Sequence, residues 1–264
     1  MTARRLALLI LLFAAFTAAA QKLPKVQEAG LRAPANIKID GKATEWSDKF
    51  QAFNPATSLF YTMANDDDNL YLAIKISELD AVNKFFIKGI TLGFQKEAKK
   101  DDKNKVAIIF PLMNENQVTL VGMYNNSMHF TRDTTARGID SVMRRNNAAL
   151  GIGCKWLKVS GIEGLDTVSV YNDLGLKAAG LFNKDRMYTL EMAVPLKYLQ
   201  AAINTQGKFS YQIIMNGSSY GYHEPKFSPG ADEAFKQSIR DMEAFFSAKT
   251  APTDFWGEYT LAKK

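Results

Sequence analysis

Four stretches of this chain alternate apolar and polar residues with a period of two, and that pattern constrains the fold more than any other feature. Leu70, Leu72, Ile74 and Ile76 share one parity, with Tyr71, Ala73 and Lys75 between them. Val106, Ile108 and Phe110 repeat it, as do Tyr188, Leu190, Met192 and Val194, and then Phe209, Tyr211, Ile213 and Met215. Successive side chains of a strand point to opposite faces, so each stretch reads as a strand with one buried and one wetter face. Weaker strands are expected at 57–63, 90–95, 117–124, 166–171 and 256–261. Asn65 to Asn69, a run of Asn and Asp, is turn chemistry joining two strands. The mixed-charge run from Lys96 to Asn104 reads as a solvated hairpin loop.

Many short strands and few helical patterns predict an all-β dominated chain: a two-sheet, mainly antiparallel β-sandwich, jelly-roll-like. One amphipathic helix is expected near 229–248. Ser228-Pro229 can start it, Phe235, Ile239, Met242 and Phe245/Phe246 recur at steps of three and four, and Pro252 lies beyond its end. A short helical turn is expected after Pro195, through Leu196 and Leu199.

The first twenty residues read as an export signal. Arg4 and Arg5 precede an apolar run of eleven residues, Leu6 to Phe16, and Thr17-Ala18-Ala19-Ala20 offers the small residues of a cleavage site. A membrane-spanning helix needs about 20 apolar residues, so the run is too short to be an anchor. Cleavage after Ala20 would leave a chain with no integral membrane segment, exported to the periplasm or beyond. Residues 21–35, polar and holding Pro24 and Pro34, read as a linker or loose entry strand, and 36–264 as one domain.

Several chemistries are excluded or disfavoured. The net charge is +6, falling to +4 without Arg4 and Arg5, and no basic cluster marks a nucleic-acid partner. One cysteine, Cys154, permits no internal disulfide and reads as a small buried hydrophobe. Two histidines, His129 and His223, make a histidine metal site or a Ser-His-Asp triad a poor expectation. No nucleophile elbow, zinc-protease motif or phosphate-cradling glycine loop is present.

Four motifs stand in a telling order. Ile37-Lys38-Ile39-Asp40-Gly41 with Glu45-Trp46 opens the domain, and Asp66 to Ala73 forms a hairpin and strand. Tyr188-Thr189-Leu190-Glu191 through Val194-Pro195-Leu196 comes late, and Trp256-Gly257-Glu258-Tyr259-Thr260-Leu261 closes the chain. This order resembles the family 9 carbohydrate-binding modules and their wider sandwich superfamily, from Ile37 to Leu261. Residues 111–187 carry no match. The resemblance implies a β-sandwich that binds sugar without cleaving it, often joined to a glycosidase or xylanase. The expected role is therefore a secreted, non-catalytic carbohydrate-binding protein of polysaccharide recognition or catabolism. Other components of a glycan-degrading system would be partners.

The residues themselves allow alternatives. The same superfamily resembles haem-binding electron-transfer domains, with Met63, Met192, Met215 and His223 as ligand candidates. A protein-binding adaptor of a glycan-uptake system is a third reading. No cofactor is expected, apart from the option of a structural calcium at Asp66, Asp68 and Asn69. Calcium takes six to eight oxygens, and the bland reading of the same residues is a turn. Glu191 is either on an outer face or buried with a partner. Family members typically clamp a sugar end between two tryptophans. Trp46 and Trp256 read as packing residues, which leaves Trp156, flanked by Lys155 and Lys158. The expected sugar site is Trp156 with Tyr220, Tyr222 and Glu224 of the loop after 215, where rings stack and polar edges bind hydroxyls.

Overall fold

The computed structural model describes residues 22–47, 49–98, 105–113, 135–217 and 224–264. Two antiparallel sheets face each other. The first has strands β1 (Ala52–Asn54), β2 (Leu59–Asn65), β3 (Asn69–Ile76), β8 (Lys177–Phe182) and β9 (Tyr188–Pro195) in the order β1-β2-β3-β9-β8. The second has β4 (Ile90–Gln95), β5 (Val106–Phe110), β6 (Trp156–Ser160), β7 (Thr167–Ser169), β10 (Lys208–Met215) and β11 (Thr253–Thr260) in the order β11-β10-β4-β5-β6-β7. Three helices accompany them: α1 (Leu79–Lys88), α2 (Ala136–Gly153) and α3 (Glu233–Thr250).

The expected sandwich is the observed one, and the alternating residues form its core. Leu70, Leu72, Ile74 and Ile76 pair in register with Val194, Met192, Leu190 and Tyr188. Opposite them lie Ile90, Leu92 and Phe94 of β4, in register with Phe110, Ile108 and Val106 of β5. The two sheets touch through a hydrogen bond between the hydroxyls of Tyr61 and Tyr211, 2.8 Å apart. The turn expected at 65–69 joins β2 to β3, and a 3-10 turn over Leu196–Tyr198 follows Pro195.

Residues 22–35 do not behave as a loose linker. Beyond Tyr61, β2 has lost its β1 partner, and its edge must find other hydrogen bonds. The Gln27 side chain supplies them, accepting from Met63 N at 2.8 Å and donating to Met63 O at 2.7 Å. Arg32 then pairs with Asn65 as a parallel bridge.

Two helices were illegible in the sequence. In α1, Val82, Phe85 and Phe86 are buried, yet a ten-residue run ending Phe-Phe-Ile-Lys reads equally as strand. In α2, Thr135 caps the first turn by accepting from Gly138 N, and Met143, Ala149 and Leu150 are buried. Gly138, Gly151 and Gly153 mask that pattern, because glycine weakens a helix by about 1 kcal/mol relative to alanine.

The third helix was expected near 229–248 and spans Glu233–Thr250. Its cap is Asp232, which accepts from Phe235 N at 3.1 Å, and not Ser228. None of its residues is buried. Apart from Ile239 the half-buried ones are polar, Lys236, Arg240, Glu243, Ser247 and Thr250, while Phe235, Met242, Phe245 and Phe246 are exposed.

Candidate functional site

The opening motif builds a clasp over the first sheet. Trp46, Phe50 and Ala43 cover Ala64 and Ala73 on that sheet's outer face. Glu191 would have faced water there. It is instead fully buried and accepts three hydrogen bonds, from Trp46 Nε1 at 3.0 Å, Gly41 N at 2.9 Å and Asp40 N at 3.2 Å. Burial pushes its carboxyl above the ordinary range, and the three donors oppose that rise. Gly41 is required because its φ is +82° and a Cβ would stand 2.8 Å from the Gly180 backbone. Trp46 is thus a packing residue that also ties down a buried carboxylate.

The second candidate group sits in the β2–β3 turn. Asp66 Oδ1 accepts from Asp68 N at 2.8 Å and Asn69 N at 2.6 Å, and Oδ2 accepts from the Tyr71 hydroxyl at 2.6 Å. Both oxygens of Asp66 are therefore engaged by the turn itself. Asp67 pairs with Arg32 and Lys264. Among the described residues, no group of three or more acidic, histidine or cysteine side chains is arranged to hold a metal. The turn as it stands does not fit a calcium ion. Of the haem-ligand candidates, Met63, Met192 and Met215 are buried among core side chains, and His223 lies outside the described residues.

Of the expected sugar residues, Trp156 and Glu224 fall within the described segments. Tyr220 and Tyr222 lie outside the described residues. Glu224 is 2.7 Å from Arg240 Nε, in an ion pair at the base of α3. Trp156 opens β6 and is 45% exposed. Three strand spacings, about 14 Å at the usual separation, divide β6 from β10.

Trp156 has another companion, which the sequence reading missed. Ser169 pairs with Trp156 across β6 and β7, and Tyr171 follows two residues later, 76% exposed. Tyr171 lines a cleft of about 280 Å³ between the C-terminal turns of α2 and strand β8. Asp40, Lys177 and the main chain of Ala178 to Leu181 line it too. β8 is an edge strand. Asn147 of α2 bonds its outward edge, donating to Phe182 O at 2.9 Å and accepting from Phe182 N at 2.7 Å. Alternation along the strand turns the amide and carbonyl groups of Gly180 and Ala178 the same way, toward the cleft. Cys154 also borders it, its thiol pushed up to about 12 by burial and so held protonated. Tyr171 was legible only as an aromatic at the end of a weak strand, which by itself marks nothing.

A larger cleft of about 730 Å³ lies at the other end of the sandwich, among Asp67, Asp68, Asn69, Asp173, Lys197 and Asn204. Its lining has no aromatic ring. Trp256, expected to pack, instead faces outward from β11, half-buried, with Lys105 Nζ 5.7 Å from the ring centroid.

Two stacked antiparallel sheets with a clasped outer face define the class, a β-sandwich. No family model matches the sequence, and no curated protein is significantly similar to it. Among solved structures, the chain is similar to a family 9 carbohydrate-binding module from Caldicellulosiruptor kristjanssonii in complex with glucose. The identity is 10% and the TM-score 0.40, over 89% of this chain and 95% of that one.

Proposed function

We propose that this protein is an exported, non-catalytic carbohydrate-binding protein serving polysaccharide recognition or catabolism, and that Trp156 and Tyr171 flank its sugar site. One observation carries the reading: the solvent-facing ring of Tyr171 lines a cleft that offers a carboxylate, an ammonium group and edge main-chain groups, and the exposed Trp156 is the cross-strand partner of Ser169, two residues before it. Sugar rings stack their C–H faces on aromatic planes and need polar partners at their edges. A cleft of this size suits roughly one sugar ring, at the small end of ligand pockets. The order of motifs from Ile37 to Leu261 supports the same reading.

The test is a glycan array with the chain starting at Gln21, followed by calorimetry on the best ligand. Trp156→Ala and Tyr171→Ala should each weaken binding at least tenfold. Both rings are exposed, so both variants should melt within about 2 °C of the parent, as surface changes do. Binding undiminished in both variants would place the site elsewhere. An array with no hits would count against the carbohydrate reading itself.

A further inference from the structure

Helix α3 is turned inside out. Phe235, Met242, Phe245 and Phe246 are 56%, 49%, 54% and 56% exposed, and together with Ser238, Ile239 and Lys249 they form one continuous stripe along its outer side. Residues three and four apart share a helix face, so the stripe runs the whole length of the helix, about 27 Å for eighteen residues. An aromatic side chain buries about 150–250 Å², so four such groups, half exposed, offer roughly 400 Å² of apolar surface. That lies within the range of patches that mark an interaction site.

We propose that α3 is the interface of an isologous dimer, each copy's stripe covering the other's with the helices antiparallel. Two apolar pairs of the stripe, Phe235 with Phe246 and Ile239 with Met242, are placed symmetrically about the middle of the helix. Antiparallel pairing about a two-fold axis between positions 240 and 241 sets Phe235 against Phe246 of the second copy, and Ile239 against Met242. It also sets the acidic start, Asp232 and Glu233, beside the basic end, Lys249. A parallel arrangement would place like ends together and align the two helix dipoles unfavourably. With about 400 Å² of apolar area from each copy plus the flanking residues, the contact belongs at the low end of specific interface sizes. It therefore predicts a concentration-dependent dimer. The polar side of α3 stays against its own domain, where Arg240 pairs with Glu224, while Lys249, at the edge of the stripe, also pairs with Asp80 of its own chain.

Sedimentation velocity on the chain from Gln21 tests this. The expected result is a shift from monomer to dimer mass with rising concentration, abolished in Met242→Glu and in Phe246→Glu. Circular dichroism of each variant should match the parent. The pairing has a second, independent readout. Ala234 and Ala248 are exposed on one flank of α3 and meet across the proposed interface. In a Cys154→Ala background, Ala234→Cys/Ala248→Cys should give a covalent dimer with a short bismaleimide. Ala234→Cys alone should not, because its two copies would be about 20 Å apart along the helices. A parent that is monomeric at every attainable concentration would overturn the proposal. So would a dimer indifferent to both glutamate variants. A monomer that co-sediments through α3 with phosphatidylcholine vesicles would assign the stripe to lipid and overturn it equally.

Discussion

The hydrogen bond from Trp46 to Glu191 lends itself to a double-mutant cycle. Trp46→Phe keeps an aromatic plug over Ala64 and Ala73 but removes the one donor to Oε1, now at 3.0 Å. A hydrogen bond to a charged group contributes about 1.5–3 kcal/mol net. For a chain of this size, 1 kcal/mol moves the melting temperature by about 2–4 °C, so the variant should lose about 3–12 °C. Glu191→Ala strands three donors and opens a cavity, and should cost about 3–5 kcal/mol. If the bond accounts for the first loss, Trp46→Phe should cost far less in the Glu191→Ala background, with a coupling of at least about 1 kcal/mol. Urea melts followed by far-ultraviolet circular dichroism give all four corners. A coupling under about 0.5 kcal/mol would refute the clasp as an energetic unit and reduce Trp46 to a packing ring. The sign with pH is also fixed. Burial raises the Glu191 carboxyl above its ordinary 4.5, so its contribution is full below that pH and is lost as pH rises through the raised value. The advantage of the parent over Glu191→Gln should narrow accordingly.

Tyr188→Phe should raise stability by about 1 kcal/mol in the same assay, because its hydroxyl is buried with no hydrogen-bond partner among the described residues. Asp66 behaves oppositely to Glu191: burial pushes its carboxyl up, but the Tyr71 hydroxyl and the Asp68 and Asn69 amides outweigh it and hold it below the ordinary 3.8. The stability difference between the parent and Asp66→Asn should therefore be largest near neutral pH and vanish as pH falls past that value, which thermal melts between pH 7 and 2 will show. Because both Asp66 oxygens are engaged by the turn, millimolar calcium or its removal with EDTA should leave the melting temperature unchanged within about 1 °C.

Strand content was legible because a half-buried strand imposes period two on its residues, and Leu70 to Ile76 or Phe209 to Met215 could satisfy nothing else. Glu191 stayed ambiguous because its partner, Trp46, lies 145 residues away, and no local pattern announces such a bond. The apolar stripe of α3 was correctly read as a stripe, but periodicity reports only that a face is apolar, not which way it points. The site was the least legible part. Trp156 kept the exposure that its lysine neighbours implied, whereas Tyr171 became interesting only when Ser169 paired with Trp156 and the chain turned toward β8.

The path of β11 has a consequence for how this domain can be mounted. Thr253 enters the sheet beside Met215, at the end where Phe110 and Trp156 also lie, and Thr260 leaves it beside Lys208. At that far corner Arg32 and Asn65 both donate to Ala262 O, which ties down the segment that follows β11. Eight residues of strand, about 26 Å, separate this corner from the rim that carries Trp156. A linker or surface attached beyond β11 would thus hold the domain by its back, with the aromatic rim directed outward.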